Sequence, residues 1–543
     1  MKLTSSFLNR PKHLKASKGK TFDLLVVGGG ITGAGVARDA AMRGLSVCLV
    51  ERGDFGEGTS SRSSKLAHGG LRYLENLEFD LVSEALHERQ NLLSMASHMV
   101  KPLRFLMPIY KEDRVSPLKM KMGMLLYDVL AAFNVPKFHE SVSARKIKED
   151  YPNIKSDNLR SGFLYSDALM DDDRLVHETL RSAVKEGAVV LNYVEGGDYE
   201  VNKNGECSLT CEDKLTGEKF RVLARHTVSS VGPWTDQFAA QVNNEWEPRM
   251  RPSKGVHITL PKDKLNLKTA VVMAADKQNR ILFCIPREGF DIVGTTDTDF
   301  VEDPSLVRAE KKDVDYILNI LKEYYPNTSV GYEDILFTYA GVRPLVNDGS
   351  ESESKVSRSH WIKTYTEDKV TYISGGKYTT FLAMAEDCVD KVVQATSLGK
   401  KANKKSDSRK VLVELNTEEN NALALKRFVK SELIDWPEDV RVSFVKRHGA
   451  QAVSFIKEWP GLRVEELEAK IAIHYYFCAA LKDFYFRRVP YLLKGVSCLK
   501  DTLSTVGAVF EEDLGLNDEQ FSAQLESLEK AVNFEEFWRD STY

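Results

Sequence analysis

No stretch of the 543-residue chain reaches the ~20 consecutive apolar residues that a membrane-spanning helix needs. The longest candidate, residues 122–135, is short and is interrupted by Asp128. The first twenty residues lack the apolar core of a secretory signal, so none is expected. They carry Lys2, Arg10, Lys12, Lys15, Lys18 and Lys20 with no acid, and residues 1–20 read as a frayed basic extension. Cysteine is scarce too. The seven cysteines form no CxxC pair and no metal-ligand spacing, which excludes a disulfide scaffold and gives no reason to expect a metal. Cys207 and Cys211 stand four apart, but inside a strand-like run. An excess of one charge is also missing: 75 Lys+Arg against 79 Asp+Glu leave a net charge of -4, so no global field favours nucleic acid. With 34 Gly, 17 Pro and 42% apolar residues, neither a collagen-like chain nor a disordered one is in question.

What is present is enough chain for two or three domains. Phe22 to Val27 is a short apolar run of the kind a buried parallel strand makes, Ile31 to Arg43 is helical in composition, Gly44 ends the helix, and Leu45 to Val50 is a second strand. Helical patterns recur at 80–98, 174–187 and 310–325, and strand patterns at 220–231, 256–260, 281–285, 290–294 and 370–374. The run 399–410 is polar and basic without apolar anchors and reads as a linker, and 411–543 is helical by composition. No internal repeat is found. The expected architecture is α/β over residues 21–398, interleaved with a sheet-rich part at about 100–160 and 245–335, followed by a helical C-terminal domain.

The chemistry starts at Gly28-Gly29-Gly30-Ile31-Thr32-Gly33. Gly28 permits a tight turn, Gly30 lets a pyrophosphate approach the backbone, and Gly33 lets helix and strand pack closely. The helix then presents unpaired N–H groups to the phosphates, and Glu51 closes the second strand where a carboxylate can take ribose hydroxyls. Strand, turn, helix, strand and terminal acid together point to a dinucleotide, but FAD and NAD both use this arrangement. Thr59-Ser60-Ser61-Arg62-Ser63-Ser64-Lys65-Leu66-Ala67-His68-Gly69-Gly70-Leu71-Arg72-Tyr73 follows. So many hydroxyls and glycines with three cations suit a backbone laid against a large polar ligand.

These two segments and Leu81-Val82-Ser83-Glu84-Ala85-Leu86 resemble FAD-dependent glycerol-3-phosphate dehydrogenases. The resemblance continues in order through Tyr165-Ser166-Asp167, Asp172-Asp173-Arg174-Leu175-Val176, Gly232-Pro233-Trp234, Lys254-Gly255-Val256-His257-Ile258, Gly294-Thr295-Thr296-Asp297, Gly341-Val342-Arg343-Pro344-Leu345 and Gly375-Gly376-Lys377-Tyr378-Thr379-Thr380. It covers about residues 22–395 and is weak over 410–543. It implies a Rossmann-like FAD-binding domain of the glutathione-reductase and D-amino-acid-oxidase type. The implied activity is oxidation of sn-glycerol 3-phosphate to dihydroxyacetone phosphate, with electrons passed to quinone by a cytoplasmic protein held peripherally on the membrane. No odd segment interrupts the substrate region, which favours dehydrogenase over oxidase. A homodimer is left open.

Such a reaction needs cations for a dianionic phosphate and a base for the hydroxyl proton. Arg72, Arg343, Arg358 and Lys377 are the cations in the matching or neighbouring segments, Tyr73 can donate to a phosphate oxygen, and His257 suits a base. The expected catalytic residues are His257, Arg343 and Lys377. The expected cofactor contacts are Gly28, Gly30, Gly33, Glu51, Thr59, Ser60, Ser61, Lys65, His68, Gly69, Leu71, Gly232, Trp234, Lys377 and Thr379. Mixed Lys, Met, Leu and aromatic residues between Arg104 and Phe133 suit either an interfacial segment on lipid or a core helix. Two other readings stay open: a related flavin oxidase acting on an amine or hydroxy acid with O2, and a flavin-containing binding or RNA-associated protein.

Overall fold

Two sheets organise the chain. The computed structural model describes residues 3–74, 77–274, 280–347, 349, 359–402, 406–413, 416–429 and 436–540, with the side chains of Arg72, Glu418, Phe428 and Val429 left aside. In the first sheet the strands run His360–Tyr365, Val370–Gly375, Lys219–Ser229, Thr21–Val27, Val47–Val50, Val189–Leu191, and all but the first are parallel. Leu24, Leu25 and Val26 are wholly buried, as a parallel strand covered on both faces requires. Each such side chain contributes roughly 1.5–3 kcal/mol by leaving water. Val194–Val201 and Cys207–Asp213 extend the start of Lys219–Ser229 as an antiparallel meander. The helix Ile31–Met42 lies between Asp172–Lys185 and Phe381–Ala395. Gly35 sets that close approach, since a Cβ there would stand 3.1 Å from both the Ala385 methyl and the Phe381 ring.

The second sheet runs Thr298–Asp299, Ser253–Pro261, Phe290–Gly294, Ile281–Pro286, Ala270–Ala274, Val100–Tyr110, Leu159–Met170, Leu66–Ala67, with Phe337–Arg343 on the free edge of Ser253–Pro261. It reaches further along the chain than the sequence pattern placed it, to Met170 and to Arg343. The reason is pairing: Leu159–Met170 follows Val100–Tyr110 in register for almost its whole length. Both sheets thereby deliver strand ends and loops to one junction.

The C-terminal region is helical, with Glu418–Val429, Glu438–His448, Ala452–Glu458, Val464–Tyr475, Val496–Leu514 and Asp518–Glu535. No described helix is long and apolar enough to cross a membrane. Two expectations need correction. The basic start of the chain is not frayed where it is described: Arg10–Ser17 is a helix whose Arg10 is buried against Asp213 (2.7 Å) and whose His13 accepts from the Val190 amide (3.2 Å). The polar run after 399 is also tied down. Buried Arg38 donates to the carbonyls of Ser408 and Lys410, and Lys401 pairs with Asp23 at 2.6 Å. In both places an ion pair to a buried carboxylate is joined by apolar contacts, Leu3, Leu14 and Ala16 in the first segment and Leu398 and Ala402 in the second.

Candidate active site

A cavity of about 1000 Å³ opens where the two sheets meet. At one end lies the turn after Thr21–Val27. Gly28 has φ +103° and a Cβ on it would meet the Ser230 carbonyl oxygen at 2.7 Å; one on Gly33 would stand 1.9 Å from the Gly28 carbonyl oxygen. Gly30 caps the helix Ile31–Met42 and lines the cavity, so the backbone itself is open to close approach there. Glu51 ends Val47–Val50 and accepts from the amides of Gly29 (2.7 Å) and Gly53 (2.9 Å). Burial raises its carboxyl pKa, and those two N–H groups oppose the rise. Ser60 Oγ accepts from the Ile31 amide at 3.0 Å, so it caps the same helix, and Thr59 donates to the Val342 carbonyl at 2.6 Å. Gly232 opens a single turn that ends in Trp234, whose ring is covered by the Arg52 guanidinium at 4.4 Å.

The other end is built from the second sheet and the loops it meets. His257 stands on Ser253–Pro261, buried, its ring stacked on Tyr339 at 4.8 Å with Nε2 2.9 Å from Ser64 Oγ. Gly294 makes room for it, because a Cβ there would lie 2.4 Å from the imidazole. Burial first, then Arg343 and Lys65, push its pKa down to about 3, so the ring is neutral at neutral pH. Arg343, at the end of Phe337–Arg343, is held by Asp297 (3.0 Å), Thr295 Oγ1 (2.9 Å) and the Thr296 carbonyl (3.1 Å). Lys377 follows Val370–Gly375, its Nζ 4.1 Å above the Tyr73 ring. Gly70, at φ +78°, lets Tyr73 fold back beside it.

The cavity therefore brings together Gly28, Gly30, Glu51, Thr59, Ser60, His68, Tyr73, Gly232, Trp234, His257, Arg343, Lys377 and Thr379. Gly33, Ser61, Lys65, Gly69 and Leu71 stand behind its wall. Lys65 needs a correction: it does not line the cavity and is buried against Asp172 at 2.5 Å, because a cation so enclosed requires a carboxylate. Gly69 donates to Tyr127 at 3.0 Å, and His68 donates to Thr379 Oγ1 at 3.1 Å. Arg358 lies outside the described residues, as does the side chain of Arg72. Sequence reasoning missed the contribution of the C-terminal helices, since Lys482, Phe486, Arg487, Phe534 and Glu535 line the same cavity. Glu535 pairs there with Arg62, one of the three loop cations expected to suit a large polar ligand.

With this geometry in view, the comparisons are decisive. The family model described as FAD dependent oxidoreductase matches residues 23–384. The aerobic glycerol-3-phosphate dehydrogenase of Staphylococcus haemolyticus is 35% identical over 386 residues, 71% of this chain and 69% of the relative. That of Staphylococcus aureus is 35% identical over 383 residues, 70% and 69% of the two. The chain belongs to this family of FAD-dependent oxidoreductases. A solved glycerol-3-phosphate dehydrogenase from Bacillus halodurans, complexed with FAD, superposes with a TM-score of 0.80 at 26% identity over 98% of both chains. The L-alpha-glycerophosphate oxidase of Mycoplasma pneumoniae shares the fold, with a TM-score of 0.56 at 17% identity over 69% of this chain and 95% of that one.

FAD is the family's cofactor, and the residues present fit it. The glycine turn leaves a cradle that any Cβ would fill, and the Glu51 carboxylate waits at the strand end. Thr59, Ser60, His68, Gly232, Trp234 and Thr379 continue that wall toward the second sheet. Bound there, the flavin supplies the hydride acceptor.

Proposed function

We propose that the protein oxidises sn-glycerol 3-phosphate to dihydroxyacetone phosphate, with FAD as hydride acceptor and a membrane quinone as the final acceptor. One observation carries the reading: a single cavity joins the dinucleotide cradle to Arg343, Lys377, Tyr73 and His257. Arg343 and Lys377 supply the positive charge for the phosphate dianion. The guanidinium is already oriented by Asp297 and Thr295, so little freedom is lost when it binds. His257 keeps its ring unprotonated and so able to accept a proton, but with a pKa of about 3 it is a weaker base than an imidazole titrating near neutral pH. The test is anaerobic addition of glycerol 3-phosphate to the holoenzyme. Rapid loss of the oxidised-flavin absorbance, abolished in Arg343→Ala while FAD stays bound, supports the assignment; a flavin that stays oxidised in the parent protein overturns it.

The membrane part of the reading rests on the helix Pro117–Leu130. Its Leu118, Met122, Leu125 and Val129 recur at helical spacing on the outside, 71%, 66%, 54% and 45% exposed, and Phe133 and Phe138 continue the strip. Lys119, Lys121 and Lys137 flank it. An apolar face rimmed by lysine suits the interface of an anionic bilayer. Its inner side is fixed to the site, since Tyr127 bonds both Gly69 and Asp167. A Met122→Glu/Leu125→Glu protein is expected to stay in the supernatant when anionic liposomes are sedimented, with anaerobic flavin reduction unchanged. Co-sedimentation equal to the parent's would remove the strip from the argument.

A further inference from the structure

The strand Phe337–Arg343 is the outer strand of its part of the second sheet. It pairs with Ser253–Pro261 on one side, and no described strand pairs with the other. Antiparallel pairing uses the N–H and C=O of alternate residues only, so Thr338, Ala340 and Val342 turn theirs outward. All three are buried, and buried backbone groups need partners. Two distant parts of the chain supply them. The Val342 carbonyl accepts from the Thr59 hydroxyl (2.6 Å) and the Ala340 carbonyl from Arg62 (3.1 Å), both on the loop that lines the cavity. The Thr338 amide donates to Glu536 at 2.9 Å. Glu535, the preceding residue, is buried; burial raises its carboxyl pKa, and Arg62 and the Ala340 amide oppose the rise.

Residues 535–539 are seated firmly enough to act as a clamp. The Thr338 hydroxyl donates to the Glu535 carbonyl at 2.6 Å and accepts from Trp538 Nε1 at 3.1 Å, and the Trp538 side chain is buried in the core of the second sheet. Arg539 pairs with Glu536 and donates to the Ile335 carbonyl at 2.7 Å. Between the two clamped residues, Thr338 and Ala340, stands Tyr339. Its ring stacks on His257 with the planes 9° apart. Its hydroxyl donates to the Ser63 carbonyl at 3.1 Å, next to the Ser64 that meets His257 Nε2. The place of Tyr339 therefore sets the place of the imidazole. Arg343 has its own anchors in Asp297, Thr295 and Thr296.

We propose that Glu536 and Glu535 are positioning residues for the reaction: they clamp the outer strand on both sides of Tyr339 and so hold the ring against which His257 rests. The inference builds on the reading above, in which His257 takes the substrate proton. Loss of the clamp is then felt in the chemical step and not in phosphate binding, because Arg343 is anchored elsewhere. A side chain that only supported the fold would lower the melting temperature and leave that division untouched.

The test is anaerobic stopped-flow reduction of the holoenzyme by glycerol 3-phosphate, combined with amide hydrogen exchange over residues 337–343. Glu536→Leu is expected to lower the limiting rate of flavin reduction by about fivefold or more, with the half-saturating substrate concentration within about twofold of the parent's. Its Thr338 amide is expected to exchange faster. Glu536→Gln keeps an acceptor oxygen for that amide and is expected to restore both. Unaltered FAD content verifies folding. If Glu536→Leu loses its flavin, Glu536→Ala decides, with a loss of about twofold or more expected in the same limiting rate. A parent-like limiting rate in Glu536→Leu, a loss of substrate affinity that accounts for the whole defect, or Glu536→Gln as slow as Glu536→Leu overturns the proposal. A parent flavin that stays oxidised defeats the activity reading instead, and exchange at Thr338 in Glu536→Leu then decides the clamp alone.

Discussion

Asp291 shows at the residue scale how far burial alone can move a charge. It sits on Phe290–Gly294, wholly buried, with neither carboxylate oxygen hydrogen-bonded among the described residues. Burial pushes its pKa from 3.8 up to about 7, with Lys262 opposing weakly. Between those values the folded protein holds a proton that the unfolded chain releases, so stability falls as pH rises from about 4 to about 7. Asp291→Asn removes that dependence. The variant is expected to melt above the parent at pH 8 and beside it at pH 4; a parallel pair of Tm curves would refute the assignment. His257 makes the opposite case. Its ring stays neutral down to about 3, so histidine-labelled NMR of the substrate-free holoenzyme is expected to show no titration of His257 between pH 5 and 8. A midpoint near the ordinary 6.5 would mean that the site is wetter than the structure has it.

At the scale of elements, the glycine turn is the part most legible from sequence, and the reason is local. Strand, turn and helix are contiguous, and a Gly33 Cβ 1.9 Å from the Gly28 carbonyl oxygen is a conflict that spacing alone can foresee. Gly33→Ala is therefore expected to fold but to bind FAD about tenfold or more weakly, equivalent to about 1.4 kcal/mol or more, and so to purify with lower FAD occupancy. Occupancy is read from the ratio of flavin to protein absorbance, and a fully flavinated variant would contradict it. The loop that follows was less legible. Lys65 lies among hydroxyls and glycines that suit a ligand, yet its partner is Asp172, more than a hundred residues on, and no local pattern distinguishes a cation facing a cofactor from one facing a buried acid. The helix Pro117–Leu130 was ambiguous for a related reason. Its apolar residues occupy both faces, Met124 and Tyr127 inward and Leu118, Met122 and Leu125 outward, so periodicity could not choose between core and interface.

The contact least visible in the sequence belongs to the whole molecule. Asp54, three residues after Glu51, is fully buried and takes Arg487 at 2.5 Å and Arg488 at 2.6 and 2.8 Å from a single π-helical turn, Phe484–Arg488. Burial alone would raise the Asp54 carboxyl, but Arg488 and Arg487 hold it far below the usual carboxylate range. Arg487 also binds Asp483, which takes the Tyr193 hydroxyl at 2.6 Å. From Asp54 the connection runs inward: its amide donates to Glu57 at 3.1 Å, and the Gly56 amide donates to the Gly29 carbonyl at 3.1 Å. The C-terminal helices thus hold the loop that shapes the Glu51 end of the cavity, across more than 430 positions of chain. Breaking such a buried pair on one side costs on the order of 3–5 kcal/mol, because the partner charge is left enclosed. Arg488→Met is therefore expected to loosen the loop and the C-terminal helices together. On heating, its flavin fluorescence should rise well before its secondary structure melts, whereas in the parent the two transitions are expected to coincide. Arg488→Lys keeps the charge but not the two-pronged geometry, and should fall between them. If Arg488→Met releases flavin only at its main unfolding transition, the cluster fastens the domain without governing the cofactor, and the cavity owes its shape to Lys482, Phe486 and Glu535 instead.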